Sequence, residues 1–366
     1  MSSDRDPVEA AADGARDLHG IATWAPRSAA DRALALAYAV LHAGARIGVV
    51  VAAFSILASI GGVAAVADPR TAALAVLSAV PAVGLAAYVW YTDVTTEPLW
   101  LLVGTFLLGA ITAAFAARLN SGLEPYVAGL GTLTPVLFYF LIVGPVEETV
   151  KLLAVRLLPY GSDHFSTVLD GAVYGAMAGM GFAFIENAIY IRRSLAVAEL
   201  EMGLSMVAAG SAITATRAIA GPGHVIYSAF AGYYLGLAKF TPEHRGPLVL
   251  KGVLIAAFVH GLYNATIGLG PAIVGAVTGL SGLGSFLLYV AVFDGVWGLL
   301  LFRKLERYRA AYHAVGVEDN RRSTPPGQTR SDDGEESRGP SSADRTQSDD
   351  VDAAAARSRF QFGNGE

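Results

Sequence analysis

The chain reads as an all-α protein: a polytopic transmembrane bundle of about eight spans, followed by a disordered C-terminal tail. Three observations predict this. Hydrophobic residues make up 54% of the 366 positions and charged ones only 16%, where a soluble globular protein carries about a quarter charged residues. The apolar residues gather in runs of about 20, the length that crosses a hydrocarbon core of roughly 30 Å. After residue 316 that pattern stops, and "RRSTPPGQTRSDDGEESRGPSSADRTQSDD" offers almost nothing apolar to bury.

The opening segment, residues 1–32, is polar and acidic. "MSSDRDPVEAAADGARDLHG" lacks the basic and apolar regions of a cleaved signal, so the first apolar span is expected to direct insertion. Spans are expected at about 47–67, 71–92, 98–117, 130–157, 168–191, 222–240, 248–269 and 284–302. Apolar stretches near 202–216 and 273–283 are short or interrupted by glycine and are not expected to cross. Arg27, Arg32 and Arg46 precede the first span and "RKLERYR" (303–309) follows the last. The positive-inside rule therefore places both termini in the cytoplasm of a multi-pass cell-membrane protein, and an even number of crossings follows. Arg118, Arg192 and Arg193 are then exceptions, basic residues on the outer side.

The tail, residues 311–366, is expected to be acidic and solvated. From residue 318 onward it holds 11 acidic and 7 basic side chains, so most of the net charge of -5 belongs to it. The body is nearly neutral, and no nucleic acid is expected among the partners. The chain has no cysteine, which removes disulfides and a thiol nucleophile.

The informative residues are polar side chains stranded in apolar spans. In "VGPVEETVKLLAV" (143–155) two adjacent carboxylates, Glu147 and Glu148, stand with Lys151. Translocon-type scales put one such residue at a helix centre at about 2.5–3.5 kcal/mol. The i,i+4 and i,i+3 spacings let Lys151 reach either carboxylate. Further along come Asp170, Glu186 in "GFAFIENAIY", Arg217 and His224 in "ATRAIAGPGHVIYSAFAGYY", His260 and Asn264 in "AAFVHGLYNATIG", and Asp294 in "VAVFDGVWG". Gly144 and Pro145 should loosen the helix before the two glutamates, and the "GPG" at 221–223 should break the chain between Arg217 and His224. Asp170 and Asp294 read as caps or interhelical contacts rather than site residues.

Two acids and an imidazole on separate helices can polarise a water molecule, take its proton and return it to a leaving amine. That chemistry is peptide hydrolysis without a covalent intermediate. The chain has no His-Glu-x-x-His, which excludes a zinc site-2 type, and no Gly-x-Gly-Asp, which excludes a presenilin-like pair. "GLSG" (279–282) matches the rhomboid serine motif, but the only later histidine, His313, lies beyond the last span.

At these residues the chain resembles the PrsW-type membrane proteases, relatives of the CAAX-processing and bacteriocin-processing enzymes. "EETVK" (147–151) matches the family's Glu-Glu-x-x-Lys/Arg signature, "FAFIENA" (182–188) its Phe-x-x-x-Glu, and "HGLYN" (260–264) its His-x-x-x-Asp/Asn. "RAIAGPGH" (217–224) looks like the arginine–histidine stretch between the second and third. The resemblance implies an integral membrane endopeptidase, a hydrolase carrying out intramembrane proteolysis. Its substrate would be a membrane-anchored protein, for example a single-span regulatory protein. It divides the bundle into accessory helices (33–120) and a catalytic core of PrsW type (121–310). It implies Glu147, Glu148, Glu186, His260 and Asn264 as catalytic, with Lys151, Arg217 and His224 in support.

Within that set Glu147 or Glu148 is the expected base, and His260 or Asn264 the expected donor to the oxyanion. The cofactor expectation is none, or one divalent metal ion held by His224, His260, Glu148 and Glu186. Carboxylates plus imidazoles suit a metal, but no pair of the His-x-x-x-His kind fixes two ligands on one face. Two other readings use the same residues: a non-catalytic membrane scaffold subunit, and a proton-coupled transporter. No internal repeat of the transporter kind is visible.

Overall fold

The computed structural model describes residues 7–12, 16–198 and 204–323. It is helical throughout, with no strand among the described residues. Eight long helices carry the architecture: α1 (Ala29–Ser59), α2 (Pro69–Tyr91), α3 (Leu99–Leu123), α4 (Gly144–Leu157), α5 (Val168–Ala198), α6 (Leu204–Phe240), α7 (Arg245–Thr266) and α8 (Leu283–Ser323). Six helical segments among the described residues are long and apolar enough to cross a membrane on their own: α1, α2, α3, α5, α7 and α8, some with a flanking turn. The chain separates into a unit ending at Val317 and another from Glu318. The tail expected to be disordered lies outside the described residues beyond Ser323.

Several boundaries differ from those read in the sequence, each for a local reason. The first span begins at Ala29 instead of 47. Ser28 and Asp31 form a reciprocal capping box that starts the helix early, and Arg32 and Arg46 then ride on its exposed face. The helix ends at Ser59, and Gly61, with φ of +85°, turns the chain into the short helix Gly62–Ala67. The expected break at "GPG" is also absent: α6 runs unbroken through Pro222. A proline inside a helix costs about 3 kcal/mol or more in isolation. Here Gly221 and Gly223 flank it and the helix is buried from Ala220 to Leu235 apart from Pro222, so packing holds the line. Of the stretch 202–216, the described residues from Leu204 onward are accordingly the first part of α6 rather than a separate element.

The loosening expected before the two glutamates does occur. The segment 134–157 is a short helix, Thr134–Phe138, then a π-helical turn, Tyr139–Val143, then α4. Gly144 is required at that junction, because a Cβ there would lie 2.5 Å from the Ala257 carbonyl oxygen of α7. Helices α5 and α6 approach as closely. A Cβ at Gly171, Gly175 or Gly232 would run into the facing backbone, the small-residue contact that lets membrane helices pack. Tyr174, Tyr227, Leu169 and Ile226 fill the core between them.

The two ends of the bundle are fixed by cross-contacts. Thr95, just before α3, donates to Asp170 at the start of α5, so both helices begin at one end. Arg192, near the other end of α5, donates to the Gly61 carbonyl.

Candidate active site

Four helices, α4 to α7, bring the charged residues of the spans together, and α3 closes the side. On α4, Glu147, Glu148 and Lys151 are all buried. Lys151 donates from Nζ to Glu148 Oε1 at 2.6 Å and lies 3.9 Å from Glu147 Oε2. Its ammonium also sits 4.4 Å from the centre of the Phe182 ring on α5. On α7, His260 donates from Nδ1 to Glu148 Oε1 at 2.8 Å. Ser228 of α6 approaches the second oxygen, Oε2, at 3.3 Å. Glu148 is therefore fully enclosed, with both oxygens occupied.

Glu147 differs. Asn120 of α3 donates from Nδ2 to its Oε1 at 3.2 Å, while Oε2 is buried without a hydrogen-bond partner among the described residues. The nearest imidazole atom, His260 Nε2, is 3.7 Å away. A second set lies beside it. Arg217 of α6 pairs with Glu186 of α5 and donates from Nε to Asn187 Oδ1 at 2.7 Å. His224 Nε2 is 3.3 Å from Glu186 Oε2, and Lys151 Nζ is 2.9 Å from His224 Nδ1. The two imidazoles face edge-on, 5.1 Å between centres.

These contacts fix the tautomers. An ammonium has no acceptor, so His224 Nδ1 must accept from Lys151, which leaves its proton on Nε2 toward Glu186. A carboxylate only accepts, so the neutral His260 ring carries its proton on Nδ1 and turns a bare Nε2 lone pair toward Glu147. The sequence offered His260 as a donor to the oxyanion. With Nδ1 committed to Glu148, it can donate from Nε2 only as an imidazolium.

A cavity of about 440 Å³ opens onto this set. Glu147, Glu186, Arg217, His224, His260 and Asn264 line it, as do Asn120 and Tyr139. Glu148 and Lys151 do not reach it. The residues singled out in the sequence thus assemble as two layers, a wall facing the cavity and a charged layer behind. Asp170 caps α5, accepting from the backbone of Thr167 at 2.9 Å. Asp294 lies outside this cavity on α8. Asn120 and Ser228 were missed in the sequence. Asn120, in "ARLNSG", reads there as an ordinary helix end.

A metal ion is a test the geometry can answer. The expected ligands were His224, His260, Glu148 and Glu186. The structure instead puts ligand atoms of Glu147, His224 and His260 within 4.8 Å of one another. Zinc at a catalytic site takes three protein ligands with free lone pairs. Glu147 and His260 offer one each, but the lone pair of His224 is held by Lys151 and its other nitrogen carries the proton. The donor set falls one short of a three-ligand site.

Fold and site define the class: a membrane-embedded peptidase. Comparison with known proteins names the group. The chain belongs to the PrsW family, since the model described as "PrsW family intramembrane metalloprotease" matches residues 97–296. The chain is similar to the protein named "Protease PrsW" of Clostridioides difficile strain 630, 29% identical over 170 residues that cover 46% of this chain and 67% of that one. The Oceanobacillus iheyensis protein of the same name is 25% identical over 236 residues, 64% of this chain and 96% of that one. The Bacillus subtilis strain 168 protein, also "Protease PrsW", is 26% identical over 187 residues, 50% of this chain and 78% of that one. No solved structure matches the chain.

Proposed function

We propose that this protease hydrolyses a peptide bond of a membrane-anchored protein in the cavity between α3 and α7, using a water activated by Glu147 and His260 without a metal ion. The observation that carries the reading is a pair of adjacent acceptors on residues of the cavity wall: Glu147 Oε2, buried without a hydrogen-bond partner among the described residues, and His260 Nε2, 3.7 Å from it. A water placed there donates one proton to each, and its oxygen lone pair is left for the substrate carbonyl.

Attack forms the new C–O bond while the proton passes to the Glu147/His260 pair. The carbonyl oxygen becomes an oxyanion, and Asn264, one turn beyond His260 on the cavity wall, supplies the amide donor to meet it. The same proton then goes to the amide nitrogen as the C–N bond breaks. Glu148 and Lys151 act behind the wall as positioning residues that hold His260 in its Nδ1–H form. Glu186, Arg217 and His224 are a neighbouring ion-paired set that supports the cavity wall. Sidedness follows the arginine distribution of the sequence: both termini cytoplasmic, the cavity toward the outer half.

The test is cleavage of a panel of single-span peptides by purified protein in detergent. Glu147→Gln keeps shape but cannot take the proton, so activity should fall at least about a hundredfold. Near-native cleavage by Glu147→Gln, with normal insertion, rejects the assignment. Stoichiometric bound zinc, with activity lost on chelation and restored by zinc, rejects the metal-free part.

A further inference from the structure

The cavity holds more positive charge than its chemistry uses. Three arginines line it: Arg118 of α3, and Arg193 and Arg217 on α5 and α6. Arg217 is neutralised by Glu186 and bonded to Asn187. Arg118 and Arg193 are exposed and have no ion pair or hydrogen bond among the described residues. Arg192, beside Arg193, is by contrast spent on the Gly61 carbonyl. Both free guanidiniums sit near the far ends of α3 and α5, on the side that the charge distribution makes an exception to the positive-inside rule.

We infer that Arg118 and Arg193 form an anionic docking rim at the cavity mouth, which selects substrates carrying side-chain carboxylates on the flank that emerges there. The inference rests on the peptidase reading and specifies its substrate class. Guanidinium groups recognise carboxylates through paired N–H donors, and both arginines line the cavity that Glu147 lines.

The helix geometry sets the spacing. Arg193 follows Glu186 by seven residues, about 10 Å along the helix axis at 1.5 Å per residue. The cleaved bond is taken at the level of Glu186, which lines the cavity together with Glu147 and His260. An extended peptide rises about 3.3 Å per residue, so about three residues separate that bond from the Arg193 level. The length of the arginine side chain widens this to about three to five. Acidic residues there gain Arg193, while Arg118, two residues before the Asn120 that bonds Glu147, meets carboxylates nearer the cleaved bond; acidic residues on the opposite flank gain neither.

The experiment uses end-capped single-span peptides that differ only at positions three to five from the cleaved bond, carrying Glu, Gln or Lys. Binding to the Glu147→Gln protein and cleavage by the native protein are read separately. The Glu peptide should bind about tenfold more tightly than the Gln peptide, with the difference in KM rather than kcat, and 0.5 M salt should erase most of it. In the Arg118→Glu/Arg193→Glu protein the order should invert in favour of the Lys peptide. Equal binding of all three peptides overturns the rim. So does an arginine effect that follows the anionic lipid content of vesicles and ignores peptide charge, which would make the two arginines lipid anchors. If charge selection holds while Glu147→Gln cleaves normally, the catalytic assignment fails and the rim stands.

Discussion

Helix α5 passes through two carboxylate clusters, and they are built differently. Near its far half Glu186 joins Glu147 and Glu148, three carboxylates met by Lys151, Arg217 and two imidazoles. At its start Asp170 meets Asp93 and Glu97 from the α2–α3 connection, their oxygens within 4.8 Å. That second set is answered by hydroxyls and backbone: Thr95 and Thr167 donate to Asp170, and Tyr174 to Glu97. The first cluster keeps its charges by pairing them and leaves one buried oxygen, on a residue of the cavity wall, without a hydrogen-bond partner among the described residues. In the second, Asp93 and Glu97 lie in a connecting loop between the spans and meet Asp170 at the start of α5, which ties that loop to the helix. Proximity of acids alone does not make a site; opposite charge and an open lone pair distinguish the first.

The largest effect expected from breaking this contrast is catalytic. His260→Ala removes one of the two acceptors for water, and cleavage should fall by about two orders of magnitude or more, whereas Asp170→Asn or Glu97→Gln should leave the rate within about threefold. Comparable losses at both clusters, in a protein that inserts normally, would erase the distinction.

Next in size is stability. Glu148→Ala leaves the buried ammonium of Lys151 without its nearest partner, and breaking a buried pair costs about 3–5 kcal/mol. Thermal unfolding in detergent should show it as a large drop in Tm, partly restored by Lys151→Met in the same chain, which removes the orphaned charge. Glu147→Gln, which keeps its bond from Asn120, should lose little. The reverse order would move the buried ion pair to Glu147.

Much of this was readable in the sequence. Glu147, Glu148, Lys151, Glu186, Arg217, His224, His260 and Asn264 stand out because an apolar span makes each polar residue conspicuous. Their division into wall and backing layer was not readable. Glu147 and Glu148 are adjacent, and only the packing of α3 and α7 against α4 decides that one meets Asn120 and the other Ser228. Asn120 gave no signal because a polar residue at the end of a span is ordinary. Pro222 misled in the opposite direction: local propensity predicts a break, and burial against α5 overrides it. The first span began early because Ser28 and Asp31 cap it, a signal that hydropathy windows do not read.

The smallest effect concerns the loop cluster and pH. Burial, helped by the Asp170 charge, pushes Asp93 up to about 7. Burial likewise pushes Glu97 up to about 7, against the hydrogen bond from Tyr174. Both sit above their unfolded values, so the folded chain holds extra protons between about pH 4 and 7. The stabilisation is fully present below that window and is lost as pH rises through 7. Tm should be a few degrees higher at pH 5 than at pH 8, and Asp93→Asn should flatten the slope. A Tm that rises over this interval in both proteins contradicts the burial assigned to these two groups.

The central claim is that Glu147 and His260 together activate water with no metal between them. The most direct measurement is the initial rate of peptide cleavage by native and Glu147→Gln protein from the same preparation, with metal content determined and the assay repeated after prolonged chelation. The account predicts substoichiometric metal, a native rate unchanged by the chelator, and a loss of at least about a hundredfold in the variant. One bound divalent ion per chain, with activity that leaves and returns with it, would contradict the account.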